Sequence, residues 1–432
     1  MAGRDKYEAA LAWLYERQPL GIQLGLERME VLVAALGRPQ LAYRSVHVAG
    51  TNGKGSVATF MAAALHRSGH RTGFYTSPHL VEFTERFRID GEQMSRDQLV
   101  PLVDELRDVT TELEETGDAP TFFELCTAVA LLHFRNEQVD WAVVETGMGG
   151  ARDATNVVEP ALTVITNVSD DHAAFLGPDI AAIAAEKAGI VKPGVPLVTG
   201  AKGEALAVLR KRCEDLGSPI VVVGEDYLVE SNGEGLRLVY GAAGTRYEVR
   251  AAGRHQLDNA ALAIAGCDVL RESGVDLPAE AVRRALAETA LPGRLETLTR
   301  DGVDVVLDGA HNLAAAQSLG RWLDDRGVEY HLIVGFSSDK DWPSMLEQWL
   351  SGARSVHAVR TRSPRSLDPA VVGSVVPDGL PFAAVDGFGA AWRRVQVSGG
   401  PRTIVVAGSL FLVGEARAFL IGQDLREVGG SQ

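Results

Sequence analysis

Short apolar runs alternate with amphipathic segments along the first half of this chain. The apolar runs predict strands at residues 43–49, 71–75, 141–145 and 162–166, and the amphipathic segments predict helices at 54–68, from about 95, and at 121–136. Such alternation is typical of a mainly parallel sheet whose faces are covered by helices. We therefore predict an α/β fold for this part of the chain.

The pattern changes between residues 220 and 250, where short alternating segments are broken by glycine-containing turns at 231–233 and 241–244. We expect these segments to form a small antiparallel meander on the same domain. A helix is predicted to follow at about 255–272.

The segment Leu291-Pro292-Gly293-Arg294 interrupts the pattern and is the predicted hinge between two domains. Beyond it, strands are predicted at 303–307, 330–334, 355–358 and 403–406. They predict a smaller, doubly wound, Rossmann-like sheet. The expected domains are residues 1–292, a P-loop-type, mainly parallel sheet with a small antiparallel subsheet, and residues 293–432. A chain of 432 residues is long enough for each to bury its own core.

The segment from Val46 to Ser56 joins an apolar strand to a glycine-rich turn at the start of a helix. Its glycines let backbone N–H groups approach phosphate oxygens, Lys54 supplies a positive charge, and Ser56 can place a hydroxyl on magnesium. The spacing differs from the commonest phosphate loop because Gly55 separates the lysine from the serine. An ordinary strand-to-helix turn is the alternative, but the lysine and serine at the helix start favour nucleotide binding.

Composition restricts the class of partner. The formal net charge of -15 and the pI near 5.2 argue against nucleic acid or an anionic membrane. No apolar run of about 18 residues occurs and the first residues are charged and mixed, so we expect a cytoplasmic protein. Cys126, Cys213 and Cys267 are far apart, which favours buried thiols over disulfides or a zinc site.

Several polar residues follow predicted strands, where open α/β sheets bind their ligands. Glu145 ends an apolar strand and precedes Gly147 to Gly150, which favours a magnesium or nucleotide role over an exposed strand end. Asp170-Asp171-His172 follows the next strand and could bind a metal, but the residues alone favour a turn. Asp308 to Asn312 follows a strand of the second domain and suggests ribose or substrate contacts, with helix capping by Asn312 as the alternative.

Three further features each allow two interpretations. Lys187 occupies the end of a predicted helix, where a lysine stabilised by the helix dipole is the usual explanation. Arg294 in the hinge could reach phosphates held by the first domain or could be solvated. Phe122 and Phe123, with the irregular segment 76–87, could hold a flat heterocycle, although such an aromatic pair is more often part of a core.

Taken in order, these segments resemble the folylpolyglutamate synthase and dihydrofolate synthase family, a branch of the Mur ligases. The resemblance runs from about Gly21 to Glu415. Its markers are Leu24 to Arg28, the phosphate loop, Thr76 to Leu80, Phe122 to Glu124, Glu145 with its glycines, Asp153 to Asn156, Asp171-His172, Glu186 to Gly189, Pro292 to Arg294, Asp308 to Asn312 and Asp339 to Asp341.

The resemblance implies an ATP-dependent ligase that adds L-glutamate to the carboxylate of a folate or dihydropteroate through an acyl phosphate. It also implies two magnesium ions served by Ser77, Glu145 and His172. Lys187 is expected to be carbamylated to N6-carboxylysine, an anion that can support a metal beside the γ-phosphate. The other expected partners are these small molecules, with no nucleic acid or membrane, and the protein is expected to act as a monomer.

The same similarity assigns residues to three groups. The residues expected to contact ATP are Gly53, Lys54, Gly55, Ser56, Asn259, Arg294 and Asp308. The residues expected to serve catalysis are Lys54, Lys187, His172 and His311. The residues expected to bind the folate or pteroate are Ile22, Gln23, Thr121, Phe122, Phe123, Glu124, Arg152, Asp153 and Ala154.

Two other functions remain as alternatives. A cell-wall Mur ligase would need a further domain for its nucleotide-linked sugar, and we expect the residues before Gly50 to be too few for one. A nucleotide-dependent switch would hydrolyse ATP only to drive motion, but Asp308 and His311 facing a substrate cleft would argue against it. The choice between dihydropteroate and reduced folates stays open.

Overall fold

The computed structural model describes residues 2–18, 23, 25–116, 119–170, 176–231, 237–240, 246–249 and 252–423. Its largest sheet has eight strands. They are β1 (Arg44–Ala49), β2 (Thr72–Tyr75), β3 (Phe87–Ile89), β4 (Glu92–Gln93), β5 (Trp141–Glu145), β6 (Leu162–Ile165), β7 (Leu197–Thr199) and β8 (Ile220–Val222).

The order of this sheet is β4-β3-β2-β5-β1-β6-β7-β8, and all its neighbours pair in parallel except where β3 and β4 form an antiparallel edge. β1 is central, between β5 and β6. Its residues Val46 and Val48 are fully buried, as expected for a parallel strand covered on both faces. The carboxyl ends of β5, β1 and β6 therefore lie side by side, and the loops that follow them meet at one edge.

Helices cover both faces of this sheet. They are α1 (Ala2–Tyr15), α2 (Glu27–Ala35), α3 (Lys54–Arg67), α4 (Arg96–Thr116), α5 (Phe122–Asn136), α6 (Ile180–Ala188), α7 (Gly203–Leu216), α8 (Arg254–Glu272) and α9 (Ala279–Glu288). One core joins α3, α8 and α9 to the sheet, and a second joins α1, α2, α4 and α5 to the opposite face. The predicted covered sheet is confirmed.

A separate antiparallel sheet contains three strands, β9 (Leu228–Ser231), β10 (Arg237–Tyr240) and β11 (Arg246–Glu248). This confirms the predicted meander but corrects its start. Ile220–Val222 pairs in parallel with β7 and belongs to the large sheet. Three consecutive apolar residues fit a strand inside a parallel sheet better than an alternating meander strand.

The third sheet has six strands, β12 (Glu296–Arg300), β13 (Val303–Leu307), β14 (Tyr330–Val334), β15 (Ala353–Val359), β16 (Phe382–Val385) and β17 (Thr403–Ala407). Its order is β12-β13-β17-β14-β15-β16, and only β12 is antiparallel to its neighbour. The accompanying helices are α10 (Leu313–Arg326), α11 (Trp342–Glu347), α12 (Pro369–Val372), α13 (Gly387–Ser398) and α14 (Leu410–Ile421). The predicted second doubly wound sheet is confirmed.

The segment 291–294 connects the two parts, and the division at residues 292 and 293 stays a prediction. Cys126, Cys213 and Cys267 are free and buried, as the sequence indicated. Among the described residues, no helix is long and apolar enough to cross a membrane.

Candidate active site

The phosphate loop follows β1 and takes a backbone path that requires glycine at two positions. Gly50 has φ 148° and Gly53 has φ 84°, values that L side chains rarely adopt. A Cβ atom at Gly50 would collide with the Thr166 side chain, and one at Gly53 would collide with Asn259. The turn is therefore packed against the loop after β6 and against α8.

Lys54 and the first turn of α3 close this loop. The Nζ of Lys54 donates to the carbonyl oxygens of Gly50 at 3.1 Å and Thr51 at 3.3 Å. Thr51 is itself held, since its N–H donates to the carbonyl of Asn167 at 3.0 Å. The ammonium of Lys54 thus lies over the turn at the start of α3. A helix start with a nearby positive charge can bind a polyphosphate.

Glu145 lies beside the loop at the end of β5 and is 4% exposed. Its carboxylate accepts hydrogen bonds from the hydroxyl of Thr76 and from the backbone N–H of Ser77. Burial raises the pKa of the Glu145 carboxyl, and the charge of Lys54 opposes that rise. A carboxylate so close to a phosphate-binding lysine can bind a cation that bridges to phosphate.

Ser77 supplies a second oxygen at this point. Its Oγ is buried, lines the same cavity as Glu145, and has no hydrogen-bond partner in the part of the chain that the structure describes. Buried hydroxyls are normally paired, so this hydroxyl is available to a ligand or ion in the cavity.

Lys187 is 3% exposed although it lies in the last turn of α6. Its Nζ donates to the carbonyl oxygen of Gly50 at 3.0 Å. Lys187 thus has the predicted helix-end position, but its amine is buried against the phosphate loop, so stabilisation by the helix dipole alone does not describe its contacts. The approach of α6 depends on Gly150, because a Cβ atom there would lie 2.9 Å from the Cα of Lys187.

The second sheet contributes Asp308 at the end of β13. The carboxylate accepts from the N–H groups of Leu295 at 2.9 Å and Ala310 at 3.0 Å. Burial raises the pKa of Asp308 from its usual 3.8 to about 6, and the nearby Arg294 charge opposes the rise. Arg294 lines the cavity, and its charge also opposes the rise in the pKa of Glu145. It is therefore close to carboxylates of both domains.

His311 and Asn312 follow on the same turn. The Nδ1 of His311 lies 2.8 Å from the carbonyl oxygen of Gly309. A carbonyl only accepts, so this nitrogen carries a proton. The side chain of Asn312 accepts from the N–H of Ala315 at 3.0 Å and caps α10, which confirms the capping alternative for this residue.

Most of these residues, though not Asn312, line one cavity of about 980 Å³ between the two sheets. Predicted residues that line it are Gly53, Lys54, Gly55, Ser56, Ser77, Glu145, Lys187, Asn259, Arg294, Asp308 and His311. The cavity also includes Lys340 and Arg365, to which the sequence interpretation gave no role. Lys340 belongs to the Asp339-Lys340-Asp341 marker, which was a usable signal, whereas Arg365 had none.

None of the predicted folate residues that the structure describes lines this cavity, and two of them, Phe123 and Asp153, contact the glycine loop at 147–150. Thr121 and Glu124 form a reciprocal capping box at the start of α5, in which Thr121 N donates to Glu124 at 2.7 Å. Glu124 also pairs with Arg28 at 3.0 Å, and Arg28 donates to the Gln23 carbonyl at 2.9 Å. The Thr-x-x-Glu spacing of the box was readable in the sequence.

The other predicted folate residues differ in burial. Phe122 stacks on Tyr15 with ring centroids 5.3 Å apart and is buried, so the core alternative applies to it. The ring of Phe123 packs against Gly147, where a Cβ atom would collide with it. Arg152 is exposed and pairs with Glu186 at 3.1 Å, and Ala154 is buried.

Asp153 is 3% exposed, and its carboxylate is used within the protein. It accepts from Met148 N at 2.8 Å and from Thr155 N at 3.0 Å, which holds the glycine loop in place. Ile22 and His172 lie outside the described residues. Within those residues, no group of three or more histidine, cysteine, aspartate or glutamate side chains is arranged to bind a metal.

The phosphate loop of one α/β unit faces Asp308 and His311 of a second α/β unit across a shared cavity. This arrangement is typical of a two-domain ATP-dependent ligase. Family models agree with this class. The Mur ligase middle domain matches residues 48–267, and the Mur ligase glutamate ligase domain matches residues 293–410.

Relatives specify the family. A dihydrofolate synthase/folylpolyglutamate synthase of Bacillus subtilis is 37% identical over 372 residues, which cover 83% of this chain and 86% of the relative. A folylpolyglutamate synthase of Lacticaseibacillus casei is 34% identical over 428 residues, with 96% and 99% covered. The Mycobacterium tuberculosis folylpolyglutamate synthase complexed with ADP superposes with a TM-score of 0.87 at 32% identity, covering 98% of this chain and 99% of that one. This chain belongs to the folylpolyglutamate synthase and dihydrofolate synthase family of Mur ligases and is an ATP-dependent ligase.

Proposed function

We propose that this ligase joins L-glutamate to the carboxylate of a folate or of dihydropteroate at the expense of ATP. The observation that supports this most directly is the shared cavity. It combines a phosphate loop and Glu145 from the first domain with Arg294, Asp308 and His311 from the second. Two relatives, each 37% identical to this chain, carry both activities in their names, dihydrofolate synthase and folylpolyglutamate synthase.

The nucleotide is proposed to bind across the two sheets. Its phosphates lie on the N–H groups and charge offered by Gly53, Lys54, Gly55 and Ser56 at the start of α3. Asn259 packs against Gly53 and borders the same space. Arg294 and Asp308 complete the nucleotide site from the second domain. The buried carboxylate of Asp308 can accept a hydrogen bond from a ribose hydroxyl.

Magnesium is proposed to bind beside the phosphates as two ions. The orphaned Ser77 hydroxyl and the buried Glu145 carboxylate are oxygen donors of the kind magnesium prefers, and both line the cavity. Ser77, Glu145 and His172 would hold the ions, which when bound would neutralise part of the phosphate charge.

Lys187 is proposed to be carbamylated. Its amine is buried, borders the phosphate loop through Gly50, and lines the cavity. Carbamylation joins the nitrogen of a lysine amine to the carbon of carbon dioxide with loss of a proton. The resulting carbamate would place a carboxylate-like anion next to Glu145 and the proposed metals.

The reaction begins when the substrate carboxylate attacks the γ-phosphorus, forming an acyl phosphate and releasing ADP. The amine of glutamate then attacks the acyl carbon and displaces phosphate. Two anions must approach each other in the first step, and Lys54 and Arg294 are placed to offset their repulsion. A cavity closed between two domains also keeps water from the acyl phosphate.

The folate or pteroate is proposed to lie near the glycine loop at 147–150. Phe123 contacts that loop, and Arg152 and Asp153 follow it. Phe122 and Ala154 belong to the adjoining core, and Thr121 and Glu124 form the capping box of α5. Ile22 and Gln23 belong to the segment that Arg28 tethers. We also infer a monomer, because one chain supplies both sides of the cavity, and a cytoplasmic location, because its buried cysteines are free thiols.

The test is ATP-dependent incorporation of labelled glutamate, with dihydropteroate and a tetrahydrofolate supplied separately. Incorporation with at least one acceptor is expected, and phosphate release should depend on glutamate. Lys54→Ala serves as the inactive control, and Lys211→Ala, which alters an exposed lysine of α7, serves as the active one. ATP hydrolysis that ignores glutamate and both acceptors would support the switch alternative instead.

A further inference from the structure

Two amide side chains join the phosphate loop to the second domain. The Nδ2 of Asn312 donates to the Oδ1 of Asn52 at 3.0 Å, and the Nδ2 of Asn52 donates to the Oδ1 of Asn312 at 3.4 Å. The two residues are 260 positions apart in the chain. This reciprocal pair is therefore a direct bond between the two halves of the site.

The main chain of Asn52 is fixed by the first domain alone. Its N–H donates to Asn167 Oδ1 at 3.0 Å, and its carbonyl accepts from Thr166 Oγ1 at 2.6 Å and from Asn167 Nδ2 at 3.0 Å. These bonds hold the loop whether or not the second domain is near. The side chain of Asn52 is thus available to bond across the cleft without supporting its own loop.

Asn312 is equally fixed on the other side, because it caps α10 through the N–H of Ala315. Its neighbour in the chain, His311, lines the cavity. On the first side, Lys54 follows Asn52 by two positions. Any shift between the two asparagines would therefore change the separation of His311 from Lys54, two side chains proposed to act on the same substrates.

Asparagine suits this pair for an electrostatic reason. An amide both donates and accepts, so two amides can exchange reciprocal bonds without net charge. An aspartate could also cap α10, but it could not donate, and it would add negative charge next to the loop that receives phosphates.

We propose that Asn52 and Asn312 are positioning residues that set the register of the second domain against the phosphate loop during the ligase reaction. The inference rests on the proposed function and goes beyond it, since the pair acts through domain placement. A tilted or more distant second domain would leave His311 and Arg294 out of line with the reacting groups, while the loop would remain intact.

Two substitutions separate this role from stability and from nucleotide binding. Asn312→Ser keeps a good helix cap, but its side chain is too short to reach Asn52. Asn52→Ala removes the pair from the other side and leaves the cap intact. Each should lower kcat about tenfold, as expected for loss of neutral hydrogen bonds made in the closed state. The dissociation constant for a non-hydrolysable ATP analogue should rise by less than kcat falls, because the loop retains its backbone bonds and only the contacts from the second domain weaken.

The double variant Asn52→Ala/Asn312→Ser should lose no more than either single variant, because each change breaks the same pair. Asn136→Ser, at an exposed helix end, is the matched control and should be unaffected. Additive losses, an unchanged kcat, or a nucleotide affinity that falls in parallel with kcat would each overturn the inference. If Lys54→Ala is inactive while the asparagine variants are normal, only this inference fails, whereas an active Lys54→Ala would overturn the proposed function itself.

Discussion

The two sides of the cavity differ in how deeply their functional groups are buried. On the first side, Glu145 and Lys187 are 4% and 3% exposed, and Lys187 is bonded to the phosphate loop. On the second side, Arg294 and His311 are only half-buried and Arg365 is exposed. Each side is held by bonds within its own domain, as Asp308 shows by accepting from Leu295 and Ala310. The cations of the second side are more exposed, however, and their distance from the first side depends on the relative position of the domains.

Electrostatics connect the two sides through Arg294. Burial raises the pKa of both Glu145 and Asp308, and the guanidinium of Arg294 opposes both shifts. One cation thus serves carboxylates from two different sheets. We infer that loss of Arg294 would affect the closed arrangement more than either sheet alone.

The comparison predicts the largest effects for the first side. Lys54→Ala and Glu145→Ala should each lower kcat by about a hundredfold or more, since each removes a charge that is proposed to contact the reacting phosphates or their metals. Thermal unfolding should stay within a few degrees of the unaltered protein, because neither side chain supports a hydrophobic core. Near-native turnover in either variant would refute the proposed nucleotide and magnesium site.

Lys187 tests whether the buried amine on this side acts as an anion. Lys187→Ala should lose activity by about a hundredfold, and formate or acetate should restore part of it by filling the vacated anionic position. Intact-protein mass under mild conditions should show the added mass of carbon dioxide in the unaltered protein. Lys54→Ala is the control for rescue and should not respond to small carboxylates. An active, metal-loaded enzyme whose Lys187 carries no added mass would contradict carbamylation.

The second side should respond to domain closure. ATP with a folate is expected to lower the radius of gyration measured by small-angle scattering, as ligand shifts the population toward the closed state. Arg294→Ala should weaken that compaction and lower kcat about tenfold, while nucleotide binding to the phosphate loop changes less. Arg294→Lys keeps the charge without the planar fork and should be intermediate. A radius that stays constant with all substrates present would indicate a preassembled site.

How much of this comparison was visible in the sequence depends on the kind of contact. Glu145 and Asp308 could be found because a polar residue directly after a buried strand has a predictable position in a parallel sheet. The role of Lys187 could not, since a lysine in a last helical turn looks the same whether it is solvated or bonded to Gly50, 137 positions away. The resemblance to a family, and not local pattern, suggested a catalytic role for this lysine.

Strands at sheet edges and the direction of side chains were also difficult to predict from the sequence. β12 was not predicted as a strand, because Leu298 is the only apolar residue among its five positions, which alternate between half-buried and exposed. Phe122 and Phe123 are adjacent and chemically identical, yet one is in the core and the other packs on the glycine loop. Only the three-dimensional direction of each side chain separates them.

Asp308 gives the smallest expected effect and concerns the second side alone. Its pKa is about 6 in the folded protein against a usual 3.8, so between these values the folded state holds a proton that the unfolded state has lost. Stability contributed by this group is therefore complete below about pH 4 and is lost as the pH rises through about 6. Between about pH 5 and pH 7, the loss should be about 1 kcal/mol in the free energy of unfolding.

Asp308→Asn removes that titration and keeps a side-chain oxygen that can accept from Leu295 and Ala310. Chemical denaturation at the two pH values should therefore show a smaller decrease for the variant than for the unaltered protein. Asp304→Asn, at an exposed position of β13, is the matched control and should follow the unaltered protein. Equal decreases in all three proteins would mean that Asp308 ionises near its usual pKa. The second side would then stabilise the ionised Asp308 as well as water does. The two sides would in that case differ only in the exposure of their side chains.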